Sequence, residues 1–153
     1  MAITPYLLYE DAGAAVSWLT QAFGVRKLRR PMTGPDGRVA HADLSFGNSA
    51  FMLGGPAPGY QNPKRLGQAT LLLYVDVPDV EKIFERAVKA GAKVIERPTD
   101  TPYGARRCAV EDPEGHQWWF AHPLEKAKRR KTATKTPRKT ASTKTRRKKK
   151  KKK

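Results

Sequence analysis

Two polar residues separated by one position, His41 and Asp43, have the side-chain types best suited to acid–base chemistry in this chain. Histidine titrates near neutrality, and a neighbouring carboxylate can orient its imidazole for proton transfer. In a β-strand both side chains would point to the same face. Glu111, on a later predicted strand, is a third candidate for a catalytic group. A solvated polar sheet face has the same pattern, so both interpretations stay open.

Other reactive residues are few. The sequence contains no recognisable nucleophile–base arrangement, phosphate-binding loop or dinucleotide-binding glycine motif. The single cysteine, Cys108, excludes a multi-cysteine zinc site and is expected to be a small buried hydrophobe. His116 and His122 are expected at the surface. A lone cysteine, no secretory signal and no apolar stretch of ~20 residues together predict a cytoplasmic protein without a membrane span.

The strands and helices that must position these residues form a pattern that occurs twice in the chain. Segments 23–31 and 90–98 align with Gly, Arg and Pro in common, at an offset of 67 residues. In the second half, apolar residues spaced as on one face of a helix run from Val80 to Val88. Each half is therefore predicted to form strand–helix–strand–strand–strand. The predicted strands are 3–9, 25–32, 38–46 and 49–54, then 70–75, 92–97, 105–111 and 116–121.

The positive charge is concentrated at the C-terminal end. The chain has 153 residues and a net charge of +17, and 17 of its 31 Lys and Arg but only one of its 14 acids follow Pro123. Residues 1–123 are thus nearly neutral. From about residue 125 onward no large apolar residue appears, which predicts a disordered tail over residues 124–153.

Such a tail would bind nucleic acid nonspecifically through counterion release, although a solubility role stays open. No amphipathic segment accompanies the charge, so binding to a membrane surface is not expected. The predicted nucleic-acid contacts are Lys128, Arg129, Arg130, Lys131, Arg138, Lys139, Arg146, Arg147 and Lys148.

The tandem repeat resembles the vicinal oxygen chelate superfamily, which includes glyoxalase I, extradiol dioxygenases, fosfomycin resistance enzymes and bleomycin resistance proteins. The resemblance covers residues 2 to about 123. It is carried by segments 5–11 and 22–24 and by the turn 112–116, Asp-Pro-Glu-Gly-His.

The resemblance implies an α+β fold of two βαβββ repeats. Repeat one would span 2–56 and repeat two 69–123, joined by a linker, 57–68, within a domain of residues 1–123. The two curved mixed sheets would surround a cleft, with the helices outside.

In metal-dependent members of that superfamily, the ligands lie on the first and last strand of each half. The corresponding positions here are Thr4, Leu53, Thr70 and Trp119, or, one residue along, Pro5, Met52, Leu71 and Trp118. Neither set offers the carboxylates or imidazoles that a divalent ion needs. We therefore expect a metal-independent member without a cofactor.

Strand alternation predicts which side chains line the cleft. Aromatic walls with a few polar groups are typical of a small-molecule site. Trp118, next to a cleft residue, would then belong to the core. The predicted ligand-binding residues are Tyr6, His41, Asp43, Phe51, Leu53, Thr70, Leu72, Tyr74, Arg107, Gln117 and Trp119.

The leading functional prediction is binding of a small organic ligand by a homodimer, with drug sequestration by bleomycin resistance proteins as the model. One alternative is a metal-dependent lyase, isomerase or dioxygenase with a non-standard site at His41, Asp43 or Glu111. The other is a nucleoid-associated accessory protein that acts through its tail.

Overall fold

The computed structural model describes residues 3–124, so all of the predicted tail except Leu124 lies outside the described residues. Three helices and nine strands are formed within that range. In chain order they are β1 (Tyr6–Leu8), α1 (Ala12–Phe23), β2 (Arg26–Lys27), β3 (Met32–Thr33), β4 (Val39–Phe46), β5 (Ser49–Gly54), α2 (Pro63–Leu66), β6 (Leu72–Asp76), α3 (Val80–Lys89), β7 (Lys93–Asp100), β8 (Ala105–Glu111) and β9 (Gln117–Pro123).

Each half of the chain builds one mixed sheet with the same strand order. Sheet A has the order β1-β5-β4-β2, and β3 also pairs with β4; sheet B has the order β6-β9-β8-β7. The first strand of each half runs parallel to the last, and the remaining pairs are antiparallel. The predicted α+β fold of two βαβββ modules is confirmed.

One predicted strand differs from the structure. The segment 25–32 forms two short strands, β2 and β3, instead of one. Pro31 lies just before β3 and lacks the N–H group that a continuous ladder requires.

Side chains and a glycine define the helix ends. The Asp11 carboxylate accepts the backbone N–H of Ala14 at 2.9 Å and caps α1, and Asp79 caps α3 in the same way. α1 ends at Gly24, whose φ of 76° is a left-handed conformation that glycine adopts without steric cost.

A single hydrophobic core joins the two modules. The Phe23 ring of α1 lies 5.0 Å from the rings of both Trp118 and Phe120 in sheet B. Phe51 of sheet A lies 5.7 Å from Trp118. The Trp18 indole N–H of α1 donates to the Ala90 carbonyl, just after α3, at 2.7 Å. The modules therefore meet on the helix-bearing faces of their sheets.

The opposite face of each sheet, which we call its open face, is accessible to solvent. Tyr6 on sheet A and Tyr74 on sheet B are 47% and 49% exposed. Within residues 3–124, no hydrogen bond, ion pair or aromatic contact links the two open faces. The space between the modules of one chain is thus a groove beside the core, rather than a cleft closed by the two open faces. None of the helices in this part of the chain has the length and hydropathy of a membrane span.

Candidate ligand-binding site

The open face of sheet B carries an arginine stacked on a tryptophan. The Arg107 guanidinium carbon lies 4.6 Å from the Trp119 ring centroid, within the range of a cation–π interaction. Both carboxylate oxygens of Glu96 accept from Arg107, at 2.9 Å from Nε and 2.7 Å from Nη2. The hydrogen bonds from Arg107 to Glu96 raise the pKa of the guanidinium and hold it in place.

Two tyrosines extend this aromatic surface. Arg107 Nη1 donates to the Tyr103 hydroxyl at 3.1 Å. A hydrogen bond from Tyr74 lowers the pKa of Tyr103, while burial and the contact with Tyr103 raise the pKa of Tyr74. Tyr103 was not predicted because it lies in the loop between β7 and β8, where strand alternation assigns no face. Its only sequence signal is the Pro-Tyr-Gly turn, 102–104, directly before β8.

A groove of about 650 Å³ runs between the modules. Its lining includes Phe51 and Trp118 from the core and Tyr74 from the aromatic surface of sheet B. Among the described residues that line it, Asp76 is the one charged residue. Tyr74 therefore connects the groove with the surface around Trp119.

Three predicted residues lie in contact on the open face of sheet A, joined by one hydrogen bond and one ion pair. Tyr6 Oη lies 3.0 Å from His41 Nδ1, and His41 Nε2 lies 3.3 Å from Asp43 Oδ2. Arg29 Nε lies 3.0 Å from the same carboxylate oxygen. The side chains of His41 and Asp43 are only 22% and 17% exposed. We call Tyr6, His41 and Asp43 the sheet A row.

The predicted orientation of β5 is wrong. Phe51 and Leu53, predicted to face the cleft, are buried in the core, although Phe51 also contributes to the lining of the groove. The β4–β5 hairpin, which turns at Gly47-Asn48, pairs Phe51 with Leu44, and directly opposed residues share a sheet face. Leu44 faces the core, so Phe51 must do so too. Met52 takes the open-face position. The short turn was the sequence signal that would have given this register.

The other predicted ligand-binding residues of the second module, and the candidate Glu111, lie on or near sheet B. Leu72 and Gln117 lie opposite each other on the open face of sheet B. Thr70 precedes β6 and is exposed. Glu111 lies at the end of β8, where Lys93 Nζ is 3.1 Å from its carboxylate. Glu111 is therefore in the other sheet from the sheet A row and does not join it.

A buried carboxylate turn connects the modules next to the groove. Asp112 Oδ2 accepts from the Tyr9 hydroxyl at 2.6 Å and from the Trp118 indole at 3.1 Å. The Glu114 carboxylate accepts the backbone N–H groups of residues 10 and 11. The Asp-Pro-Glu-Gly sequence predicted a turn, but nothing in it indicated that both acids reach across to the first module.

His116 belongs to this turn and is buried, 7% exposed, so its predicted surface position is wrong. Its ring packs against Tyr9 at 4.4 Å between centroids, and its Nδ1 lies 3.6 Å from Asp112. Burial alone would raise the pKa of Asp112, but the His116 imidazole and the hydrogen bonds from Tyr9 and Trp118 outweigh it and lower that pKa. His122 is half-buried.

The four positions expected to correspond to metal ligands do not fit a divalent ion. Leu53 is in the core, Thr4 and Thr70 are exposed, and the Trp119 indole lies against Arg107. Hydrocarbon and indole side chains have no lone pairs to donate, and a neutral hydroxyl is a poor ligand. Between residues 3 and 124, no three His, Cys, Asp or Glu side chains form a group that could hold a metal ion.

Comparisons with known proteins agree with this fold. An uncharacterised protein of Mycobacterium tuberculosis is 34% identical over 128 residues, covering 80% of this chain and 75% of that protein. TioX from Micromonospora sp. ML1, whose crystal structure is known, is 34% identical with a TM-score of 0.63, over 79% of this chain and 94% of TioX. A solved Arabidopsis thaliana gene product is 25% identical with a TM-score of 0.63, over 80% and 98% of the two chains.

The family assignment comes from the sequence model of a superfamily. The model of the glyoxalase/bleomycin resistance protein/dioxygenase superfamily matches residues 3–120. That range contains both βαβββ modules except the last three residues of β9. The chain therefore belongs to the glyoxalase/bleomycin resistance protein/dioxygenase superfamily.

Proposed function

We propose that this chain is a metal-independent member of its superfamily that binds a small, planar organic molecule. The observation that carries the proposal is the position of Tyr74. Tyr74 is one of the residues that line the 650 Å³ groove, and its side chain also contacts Tyr103 on the aromatic surface of sheet B. A ligand seated there would have an apolar floor and a stacking surface beside it. This combination of apolar walls and few polar groups is typical of small-molecule sites.

The charges favour a neutral or cationic ligand. Arg107 is already paired with both oxygens of Glu96, so its charge is largely compensated. Asp76 is the one charge on the described lining of the groove. An anion would therefore find no free cation there, whereas an amine would find a carboxylate. Sequestration of a small cationic drug with a planar aromatic part, in the manner of bleomycin resistance proteins, is the biological role that we propose.

Native mass spectrometry of the full chain, purified from its own host, tests this function by detecting any retained organic molecule. Fluorescence titration with bleomycin and with cationic, neutral and anionic planar aromatic compounds follows. We expect Tyr74→Ala, which removes the ring, to weaken binding and the matched change Tyr60→Ala, at an exposed linker tyrosine, to leave it unchanged. The proposal fails if no compound co-purifies and none of the panel binds.

We further propose that the protein works as a homodimer. Tyr6, Leu72 and Tyr74 are each about half exposed (47%, 48% and 49%), which leaves apolar surface on both open faces. A second copy set opposite these faces, with a ligand-sized space left between the sheets, would enclose a ligand more fully than one chain does. Light scattering on the eluting protein should give twice the chain mass, and a monomer at all concentrations would contradict the proposal.

Two alternatives have direct tests. A metal-dependent lyase, isomerase or dioxygenase would retain near one equivalent of zinc, iron, nickel or manganese after gel filtration and lose it in His41→Ala. A nucleoid-associated role rests on the basic residues after Pro123, and it predicts salt-dependent DNA binding that the ligand does not affect.

A further inference from the structure

The sheet A row lies outside the groove and is not used by the proposed ligand binding. We propose that it is an acid–base unit in which Tyr6 Oη exchanges a proton with the hydroxyl group of a phenol or an enol bound on the open face of sheet A. This inference does not depend on the groove or on its ligand. It stands on the geometry of Tyr6, His41 and Asp43 and on the surface around them.

One hydrogen bond and one close polar contact indicate where each proton lies. His41 Nε2 lies 3.3 Å from the Asp43 carboxylate, and an ionised carboxylate can only accept, so we place the ring proton on Nε2. Nδ1 of the neutral ring then has a free lone pair, which faces Tyr6 Oη at 3.0 Å. The Tyr6 hydroxyl must donate to it. The lone pairs of Tyr6 Oη are therefore left to accept a proton from a ligand.

The proton transfer balances without any further reactant. The ligand O–H bond breaks and its proton binds to Tyr6 Oη, while the proton of the Tyr6 hydroxyl moves to His41 Nδ1. The ligand becomes a phenolate or enolate that accepts a hydrogen bond from Tyr6. His41 becomes an imidazolium, which the Asp43 carboxylate stabilises. The reverse movement returns the proton to the ligand.

The backbone leaves room for the Tyr6 hydroxyl. Gly54 lies opposite His41 and beside the Tyr6 ring, and a Cβ atom at position 54 would overlap the Tyr6 hydroxyl oxygen and press on the Ala40 carbonyl. Any larger residue would push Tyr6 away from His41. The position of this glycine thus preserves the 3.0 Å contact.

The surroundings favour an aromatic or enolic hydroxyl compound. Met52 lies between Tyr6 and Asp43 in the sheet, and Met32, opposite His41, is 62% exposed. Thioether groups pack well against aromatic rings. A planar ring resting on these two methionines would bring its hydroxyl group to Tyr6.

The charges around the row favour the anionic ligand. From the β2–β3 connection, Arg29 binds Asp43, and Arg26 of β2 lies opposite Ser45, next to the row. No titratable group comes from β5, whose nearest residues are Met52 and Gly54. The net charge of Arg26, Arg29 and Asp43 is positive, which stabilises an oxyanion at Tyr6.

The test uses the full-length protein and 4-nitrophenol, whose anion is identified by its visible absorption. In slightly acidic buffer, where most free probe is protonated, we expect binding to lower the apparent pKa of the probe by about one unit, as a nearby cation does. Tyr6→Phe and His41→Gln should abolish the shift. The control Tyr60→Phe should retain it. The basic tail is present in every variant, so any nonspecific effect of its charge cancels in the comparison.

A second measurement, by NMR, follows the protonation of His41 directly. The ring ¹⁵N shifts of His41 should show an unprotonated Nδ1 in the free protein and protonation of Nδ1 when 4-nitrophenol binds. Retained thermal midpoints would confirm that the variants are folded. A protonated Nδ1 in the free protein, an equal probe shift in Tyr6→Phe, or no shift at millimolar wild-type protein would each overturn the proposal.

Discussion

The Tyr9 hydroxyl donates a 2.6 Å hydrogen bond to Asp112, which lies 103 residues further along the chain. This bond joins the end of β1 to the turn before β9, and both side chains are buried. Burial, followed by the interaction with Asp112, raises the pKa of Tyr9. The modules are therefore joined by a polar contact as well as by the core.

Replacing Tyr9 with Phe should destabilise the protein without changing its fold. Asp112 would keep the Trp118 indole but lose its shortest donor, and hydrogen bonds to charged groups are worth about 2 kcal/mol. Urea unfolding of Tyr9→Phe should show a loss of this size, compared with almost none for the exposed Tyr60→Phe. Equal stability of the two variants would contradict the importance of the Tyr9–Asp112 bond.

The buried Asp112 should make the free energy of unfolding fall at low pH. Its pKa is lowered in the folded state, so its contribution is complete above the ordinary value of 3.8 and is lost as the pH falls through the lower folded-state value. Asp112→Asn should be less stable at neutral pH and should lose less stability than wild type on acidification. Parallel curves of unfolding free energy against pH would refute this assignment.

The adjacent tryptophans should respond differently to replacement by alanine. Trp118 is 2% exposed and packs against Phe23 and Phe51, so Trp118→Ala should cost about 3–5 kcal/mol of stability. Trp119 lies on the open face under Arg107, so Trp119→Ala should cost about 1 kcal/mol and mainly weaken ligand binding. Thermal unfolding and fluorescence titration measure the two effects. Trp118 also lines the groove, so stability is the measurement that assigns the faces: a loss of about 3–5 kcal/mol in Trp119→Ala but not in Trp118→Ala would mean that the faces of β9 are inverted.

Cys108 should be unreactive in the native protein. Burial, the largest cause, and the nearby Glu81 and Glu96 raise the pKa of its thiol to about 12, so almost no thiolate exists at neutral pH. Ellman's reagent should leave the native protein unmodified over the time in which the urea-unfolded chain reacts completely. Cys108→Ala controls for other reactions of the reagent. Rapid native labelling would show that β8 opens.

Removing the basic tail should leave the domain folded. The cut belongs after Leu124, because the Leu124 N–H donates to the Gly104 carbonyl at 2.9 Å. The shortened chain, 1–124, should keep its thermal midpoint and lose tight DNA binding at low salt. Aggregation of this chain, or DNA binding as strong as that of the full chain, would contradict the division of the protein at this point.

The sequence allowed the fold to be predicted because both modules repeat the same local pattern. The stripe from Val80 to Val88 and the two turns rich in Pro and Gly act locally, so their structure follows from short segments. Alternation also placed Trp118 in the core and its neighbour Trp119 on the open face. The prediction for Phe51 was wrong because the face of its side chain depends on how β5 pairs with β4. The alternation of residues within β5 alone does not determine that pairing.

The site was less predictable because its contacts join distant segments. Tyr6 and His41 were chosen separately, and only their pairing across sheet A makes them a row. Tyr103 lies in a loop, and its role depends on Arg107 and Tyr74 from two strands. The burial of Asp112 and Glu114 depends on how the modules pack, which neither module's sequence encodes alone.

The buried turn also decides what a cut in the backbone would do. Tyr60, 70% exposed, marks an accessible point in the connection between the modules, whereas Asn62 is held by the Glu114 carboxylate. Cleavage at Tyr60 would leave two peptides that share one core and exchange carboxylate contacts, so they would remain together as a noncovalent pair. Each peptide alone would expose half of that core to water. Each module therefore needs the other to bury its apolar residues, and neither module is expected to fold alone.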